Sequence, residues 1–335
     1  MSATLLPPLF FGPVTPYPSW QWVGADVASA LSKYFSVGYF EALDEVPDGA
    51  VVFWVKNPGG ADIAEQVQQR TLTLLFFPVD CFLNEHHIRE HASFIDAARL
   101  ICLHTSSLAP FFKRSNVAYV DHYRKYGVTP QQRMPEDFFL WVGGYQYAPY
   151  VIRELLHMER PLGKVVLLTN RKCEAARDAA LENATKIGFR DFDRWCHQGD
   201  TTTIEWTESA QRNAMLTCKA AFDVKYMGCF NQFHKPPTKI QKYICSQIPC
   251  AVNRGVAYLD SLYYDVPALE ELFGVAYDGA YLKKLAALAE RLSQELSLCR
   301  VSQRYIQLAS QALLATPVPC IEAEHQGDQI LSVAP

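Results

Sequence analysis

Positive charge is not in excess in this chain. Its 335 residues carry 31 Lys and Arg against 35 Asp and Glu, a formal net charge of −4. A global basic field is therefore missing, which argues against nucleic acid or an anionic membrane as the main partner and leaves room only for a local basic patch. No run approaches the roughly 20 apolar residues of a membrane span. The ten cysteines, Cys81, Cys102, Cys173, Cys196, Cys218, Cys229, Cys245, Cys250, Cys299 and Cys320, form neither a CxxC pair nor a dense framework. Such scattered thiols suit a reducing compartment, so a cytoplasmic protein is expected. The first residues, MSATLLPPLFFGPVTPYP, lack a basic lead and carry early prolines, which argues against a signal peptide. No repeat of solenoid length is present.

What the chain does contain is apolar length. With 49% hydrophobic and 20% charged residues, it is globular and long enough for two cores of about 150 residues each. Short apolar runs alternate with helical patterns. Leu5 to Phe11 precedes a helix over Trp20 to Tyr34; strands over Ser36 to Ala42 and Ala50 to Val55 precede a helix over Asp62 to Arg70. A strand at Thr71 to Val79, a helix at Asn84 to Ala98, a strand at Leu100 to His104, a helix at Leu108 to Arg114 and a strand at Val117 to Val120 follow. Strands separated by helices rather than by hairpin turns predict a parallel, doubly wound α/β sheet.

The polar, proline-bearing stretch Tyr123 to Asp137 interrupts this series and reads as a linker. The alternation then restarts with Phe138 to Val142, Gly143-Gly144, a helix over Tyr150 to Met158, a strand at Lys164 to Thr169, a polar helix over Arg171 to Ile187 and a strand at Thr202 to Trp206. The expected division is 1–125, linker 126–137, second domain 138–280, helices 281–316 packing back across the hinge, and a disordered tail 317–335. Two such halves define a cleft in which ligands bind.

The richest stretch runs from Thr202 to Asn253. It ends in a polar loop, Gly228 to Thr238, and a helix start, Lys235-Pro236-Pro237-Thr238-Lys239. Proline fits the first turn of a helix, whose free N–H groups face outward and attract anions. Lys235, Thr238 and Lys239 are thus candidates to hold a diphosphate, with Lys239 stabilising the charge on a departing phosphate; the alternative is a pair of solvated helix-start lysines. Asn231 and His234 lie on the same loop, His234 as a hydrogen-bonding group for a sugar hydroxyl or phosphate. Gly143 and Gly144 would allow a close backbone approach to the diphosphate or simply turn the chain. Glu205 and Trp206 would frame the base or ribose, or Trp206 would pack under the next helix. Asp223, Lys225 and Tyr226 flank the following strand, placed for donor-sugar contacts or for ordinary edge-of-core packing.

The order of these features resembles the C-terminal, nucleotide-sugar half of GT-B fold glycosyltransferases, and the opening strand, Gly12-Pro13 loop and Ser19-Trp20-Gln21-Trp22 helix start resemble their acceptor half. The resemblance implies two Rossmann-like domains with an interdomain cleft, a nucleotide diphosphate-sugar donor, and a glycan or lipid-linked acceptor, the latter with peripheral membrane association. It assigns catalysis to Lys239 and His234, and donor binding to Gly143, Gly144, Glu205, Trp206, Lys235, Thr238 and Asn231. Tyr17, Trp20 and Trp22 would stack on acceptor sugars, against core packing as the alternative. No cofactor or metal is required, since lysines and helix N-termini meet the phosphate charge. The halves are expected to close on the donor, bringing the loops Gly12 to Trp22 and Asp80 to His91 toward Asn231 and His234.

The chain also departs from the pattern. Where many retaining members carry two acidic residues before the strand entry, it has His234 and Lys242, and Gln247 replaces the usual glycine before Ile248-Pro249. Donor recognition is therefore altered, or catalysis is lost and the protein is a binding partner in glycan assembly. A nucleotide-sugar epimerase or a DNA glucosyltransferase is the third reading. Asp80, His104 and His122 lie at strand ends of the first half, where a general base would sit. His87, Glu90 and His91 match an H-x-x-E-H zinc pattern on a helix, for which a polar surface helix is the competing account.

Overall fold

The computed structural model describes residues 6–112, 116–189, 191–197, 199–254 and 265–314. Two parallel sheets with interleaved helices make it an α/β protein built from two Rossmann-like halves. The first sheet contains β1 (Leu9–Gly12), β2 (Val37–Tyr39), β3 (Val51–Val55), β4 (Thr73–Phe77), β5 (Leu100–Leu103) and β6 (Val117–Tyr119), in the order β2-β1-β3-β4-β5-β6. The second contains β7 (Phe139–Val142), β8 (Val165–Thr169), β9 (Thr201–Glu205), β10 (Ala220–Asp223) and β11 (Cys250–Val252), in the order β11-β10-β7-β8-β9. Each sheet reverses its direction of winding once, between β1 and β3 and between β7 and β10. At such a switch point the flanking loops separate and leave a crevice beyond the carboxyl ends of the strands.

Central strands are apolar without alternation because helices cover both faces. In β3, Val51, Phe53 and Val55 enter one core layer, whereas Val52 and Trp54 enter the other. The second sheet divides in the same way, Leu140 and Val142 from Phe139 and Trp141.

The last two helices go to different halves. Helix Gly279–Glu295 sets Leu285 and Leu292 into the second core, and helix Leu298–Leu314 sets Val301, Tyr305, Leu308, Ala309 and Ala312 into the first. The Tyr305 ring stacks on Phe53 and Phe77, with centroids 5.7 and 4.9 Å away.

Three local expectations are modified. The helix read over Asn84 to Ala98 is two helices, Glu85–Glu90 and Ala92–Ala97, parted at His91. The one at Leu108 to Arg114 is a 3-10 turn, Ser106–Phe111, with Pro110 inside it; Arg114 lies outside the described residues. The polar stretch 126–137 is fastened to the second half. Val128 is buried and donates its N–H to Ser246, the Arg133 guanidinium donates to the carbonyls of Cys218 and Gln247, and Met134 N–H donates to Leu216. Charge and proline marked a linker there; backbone bonds and a guanidinium satisfied by carbonyls hold it down. Residues 317–335, expected to be a disordered tail, lie outside the described residues.

Candidate functional site

The carboxyl ends of the two sheets face each other across the cleft, and the helix Thr238–Cys245 starts between them. On the second sheet, β7 ends at Gly143, where a side chain would put Cβ 2.4 Å from the Trp141 ring. Glycine there answers to Trp141. Gly144 then leads into the turn Tyr145–Tyr147 and helix Ala148–His157. The neighbouring β10 ends at Asp223. This carboxylate is buried and accepts from Lys225 Nζ at 2.8 Å and Lys239 Nζ at 3.0 Å, while Asn253 holds the Lys225 backbone through both its N–H and its carbonyl, each at 2.9 Å.

One carboxylate thus serves two ammonium groups, and the electrostatics follow. Burial alone would raise the pKa of Asp223, but Lys225 and Lys239 outweigh it and bring it down to about 2. Lys239, partly buried and sharing its counter-ion, is pushed down to about 7 by desolvation. Its Nζ also lies 4.9 Å from the centre of the Trp141 ring. Lys239 is therefore engaged inside the second half and does not stand out into the cleft as a free cation.

The loop before the helix bridges the halves. Asn231 donates to the carbonyl of Asp80 at 2.9 Å, Lys235 approaches the Asp80 carboxylate at 3.5 Å, and His234 Nδ1 lies 2.9 Å from Ser107 Oγ. Phe230 packs edge-on against Phe111, with His234 against both rings. Burial draws Lys235 down, but Asp80 and its surroundings hold its pKa above the ordinary lysine value. Burial holds His234 below the ordinary imidazole value. The cleft is thus already closed on this side by direct contacts. Closure had been expected to need the donor.

Behind this contact the helix turns another face to the first half. Gln241 donates to Asp121 at 2.8 Å. Lys242, 8% exposed, lies against the rings of Trp22 and Tyr126, 5.7 and 5.5 Å from their centres. No acidic side chain among the described residues pairs with it, and desolvation pushes its pKa down to about 8. Trp22 meets His122 edge-on at 6.2 Å, and His122 meets His104 at 4.0 Å. His104 Nδ1 is 2.6 Å from the Val120 carbonyl, so Nδ1 carries the hydrogen and Nε2 is an acceptor. His104 Nε2 and both ring nitrogens of His122 are buried without a hydrogen-bond partner. Desolvation holds His104 down to about 4 and His122 well below the usual value, so both rings are neutral at pH 7. Trp22, His122, Thr238, Gln241 and Lys242 share a cavity of about 10 Å³, room for one water.

The remaining candidates stand in various places. Trp206, at the end of β9, donates its indole N–H to Gln211 and reaches Tyr126 edge-on at 6.4 Å, which joins it to the outer wall of this region. Glu205 accepts from the Lys172 backbone at 2.9 Å, away from the helix start. Trp20 is buried against Tyr39, whereas Tyr17 is exposed with Lys56 4.9 Å from its ring centre. Of the three aromatics expected to stack on an acceptor, only Trp22 adjoins Lys242 and His122. On the surface helix, His87 Nδ1 takes the Leu83 N–H, His91 Nδ1 contacts the Gly59 carbonyl and Glu90 pairs with His86. No group of three or more metal-ligating side chains occurs among the described residues, and none of their helices is long and apolar enough to cross a membrane.

Asp223 stood in the sequence as a strand-flanking residue for donor-sugar contacts or edge-of-core packing, and Lys242 only as a departure from a pattern. Nothing local to either reveals the partnership or its absence. His122 and His104 had one usable signal, since each follows an apolar strand at its carboxyl end.

No family model and no curated protein sequence matches the chain. Solved structures do. The UDP-forming α,α-trehalose-phosphate synthase from Burkholderia xenovorans, crystallised with glucose-6-phosphate, aligns over 81% of this chain and 75% of its own with a TM-score of 0.54 at 10% identity. A glycosyltransferase from Rickettsia africae aligns over 93% of this chain and 100% of its own with a TM-score of 0.53 at 8% identity. The chain spans about half, 54%, of the matched chain in the Glycosylation Associate Protein (Gap123) complex from Streptococcus agalactiae, at 11% identity and a TM-score of 0.43. Two parallel-sheet halves meeting at their carboxyl ends, and the likenesses in shape to the first two of these structures, show that the chain has the GT-B fold.

Proposed function

We propose that the protein is a glycosyltransferase that moves a sugar from a nucleotide diphosphate donor to a glycan or lipid-linked acceptor, with the reacting groups in the cleft between the sheets. The observation that carries this reading is the convergence of both carboxyl ends on the start of helix Thr238–Cys245. That start offers unpaired N–H groups to a diphosphate, with Lys235 and Lys239 in the adjoining turn. With cations and N–H groups available, transfer proceeds without a metal. Thermal shifts against UDP, GDP, ADP and their sugars, followed by donor-hydrolysis and transfer assays in EDTA, test it. Stabilisation by at least one nucleotide and turnover of its sugar are expected; no response to any of them sinks the reading.

A second reading, a binding partner in glycan assembly that does not turn over a donor, is favoured by a specific arrangement. Lys239 and Lys235 are engaged by Asp223 and Asp80, and Asn231 and His234 tie the loop to the first half. Nucleotide binding without turnover would select it.

A further inference from the structure

We infer that the cavity between Trp22, His122, Thr238 and Lys242 is the seat of a phosphate group, and that Lys242 is the cation that holds it. The inference deepens the transferase reading and rests on it for the location of the ligand in the cleft. Lys239 has a buried carboxylate at 3.0 Å and Lys235 has a half-buried one at 3.5 Å. Lys242 has only the faces of two aromatic rings. A buried ammonium without a counter-ion costs several kcal/mol and is retained where an anion completes it.

His122 supplies the independent observation. It is 7% exposed, lines the same cavity, and has no partner at either ring nitrogen. A neutral imidazole carries one donor and one acceptor in either tautomer. The group that satisfies both must therefore accept one hydrogen bond and donate another, while bringing negative charge to Lys242. A carboxylate accepts only. A phosphate monoester accepts on several oxygens, donates through a retained proton or through hydroxyls of the sugar that bears it, and also suits the free N–H groups at Thr238. Among the side chains lining the cavity, Arg124 and Lys125 add positive charge and none is acidic. The Arg124 guanidinium approaches the Cys245 carbonyl and Ser293 Oγ at 3.3 and 3.2 Å, and Lys125 pairs with Asp26 at 2.7 Å, so both are held beside the seat and Lys242 is left to neutralise the ligand.

A cavity of about 10 Å³ admits a water and not a phosphate. Entry therefore requires the halves to part, with release of Asn231 from Asp80 and of His234 from Ser107 as the contacts that yield. The phosphate belongs either to a nucleoside diphosphate or to a sugar phosphate, and the two are separated by experiment.

Calorimetric titration of the full chain at pH 7 with inorganic phosphate, UDP and glucose 6-phosphate is the test, run on the wild type, Lys242→Met, Lys242→Arg, His122→Phe and Lys284→Met. At least one of the three compounds is expected to bind. Lys242→Met should weaken it by about tenfold or more and Lys242→Arg by much less, since charge is kept. His122→Phe should weaken it by about threefold or more. Lys284→Met removes an exposed charge from helix Gly279–Glu295 and should stay within about twofold. UDP as the tighter ligand assigns the seat to the donor, and glucose 6-phosphate assigns it to an acceptor. No binding of any of the three at millimolar concentration, or equal affinity in wild type and Lys242→Met, overturns the inference. Should Lys242→Met fail to fold, Lys242→Arg and His122→Phe decide: affinity unchanged by His122→Phe and abolished by Lys242→Arg is the overturning pattern. Sugar-nucleotide turnover that survives Lys242→Met sinks the seat and leaves the transferase reading, whereas Lys242-dependent phosphate binding without turnover of any donor does the reverse.

Discussion

The end of β10 in the second sheet and the ends of β5 and β6 in the first treat buried polarity in opposite ways. At the end of β10 the groups are charged and complete: Asp223 takes Lys225 and Lys239, and Asn253 takes the backbone between them. Near the ends of β5 and β6 they are neutral and incomplete, with three ring nitrogens of His104 and His122 unpartnered. A buried polar group without a partner is rare enough to need a reason. The difference teaches that charge alone is a poor guide to the working part of a cleft. The lysines most visible in the sequence are absorbed in ion pairs, Lys239 within one half and Lys235 between the two, and the quieter imidazoles border the part that is unfinished.

Removing the shared carboxylate should have the largest effect. Asp223→Ala leaves two partly desolvated ammonium groups facing each other and should destabilise the fold by about 3–5 kcal/mol. Urea unfolding measures it, and a loss below about 1 kcal/mol would mean that the β10 end is open to water after all.

Acid should act on the other end. The folded-state value of His104 is about 4, below its ordinary 6.5. Between those values the unfolded chain binds a proton that the folded chain refuses. Stability from this group is therefore fully present above pH 6.5 and is lost as the pH falls toward 4, by on the order of 3 kcal/mol. His104→Gln should flatten the stability curve in that window. An unchanged slope would place the ring in contact with solvent.

The bridge between the ends is weaker. Asn231→Ala removes one neutral hydrogen bond to Asp80, and should cost about 1 kcal/mol while raising proteolysis of the loop around Phe230–Phe233. Because these contacts are already made, scattering with a bound nucleotide should show an equal or larger radius of gyration; a clear contraction would show that the free protein is open in solution.

The smallest effect sharpens the comparison from the ligand side. Lys242 is pushed down to about 8 by desolvation, so phosphate affinity should decline between pH 7.5 and 9.5 by roughly tenfold or more. Lys242→Arg, which keeps its charge, should abolish that decline. A decline retained in the arginine variant would trace it to another group.

The sheets were legible in the sequence because fully buried strands need unbroken apolar runs, such as Val51 to Val55 and Leu74 to Phe77, and because helices follow them. The helix beginning at Thr238 was legible from Pro236 and Pro237. Which of its lysines does what was not. Lys239 and Lys242 sit three residues apart, and their fates diverge because one reaches Asp223 on a strand of its own half and the other reaches Trp22 of the opposite half. Spacing along a helix fixes which residues are neighbours, not what the facing surface carries. That the loop from Asp80 would approach Asn231 and His234 was expected of closure, but the individual partners of Asn231, His234 and Lys235 escaped for the same reason, since each is Asp80 or Ser107 in the other half.

The stacking of Tyr305 on Phe53 and Phe77 bears on the order in which the chain becomes a protein. The first sheet is synthesised early, and Val23, Val27 and Leu31 cover part of one face at once, yet the rest of that face is covered only when helix Leu298–Leu314 emerges, after the whole second half has been made. Until then the remainder of that face is exposed and open to wrong partners. A fragment ending near residue 125 would carry the strands of the first half without the part of their cover that Tyr305 and its helix supply, and a nascent chain would need the second half to fold quickly or a chaperone to shield the first.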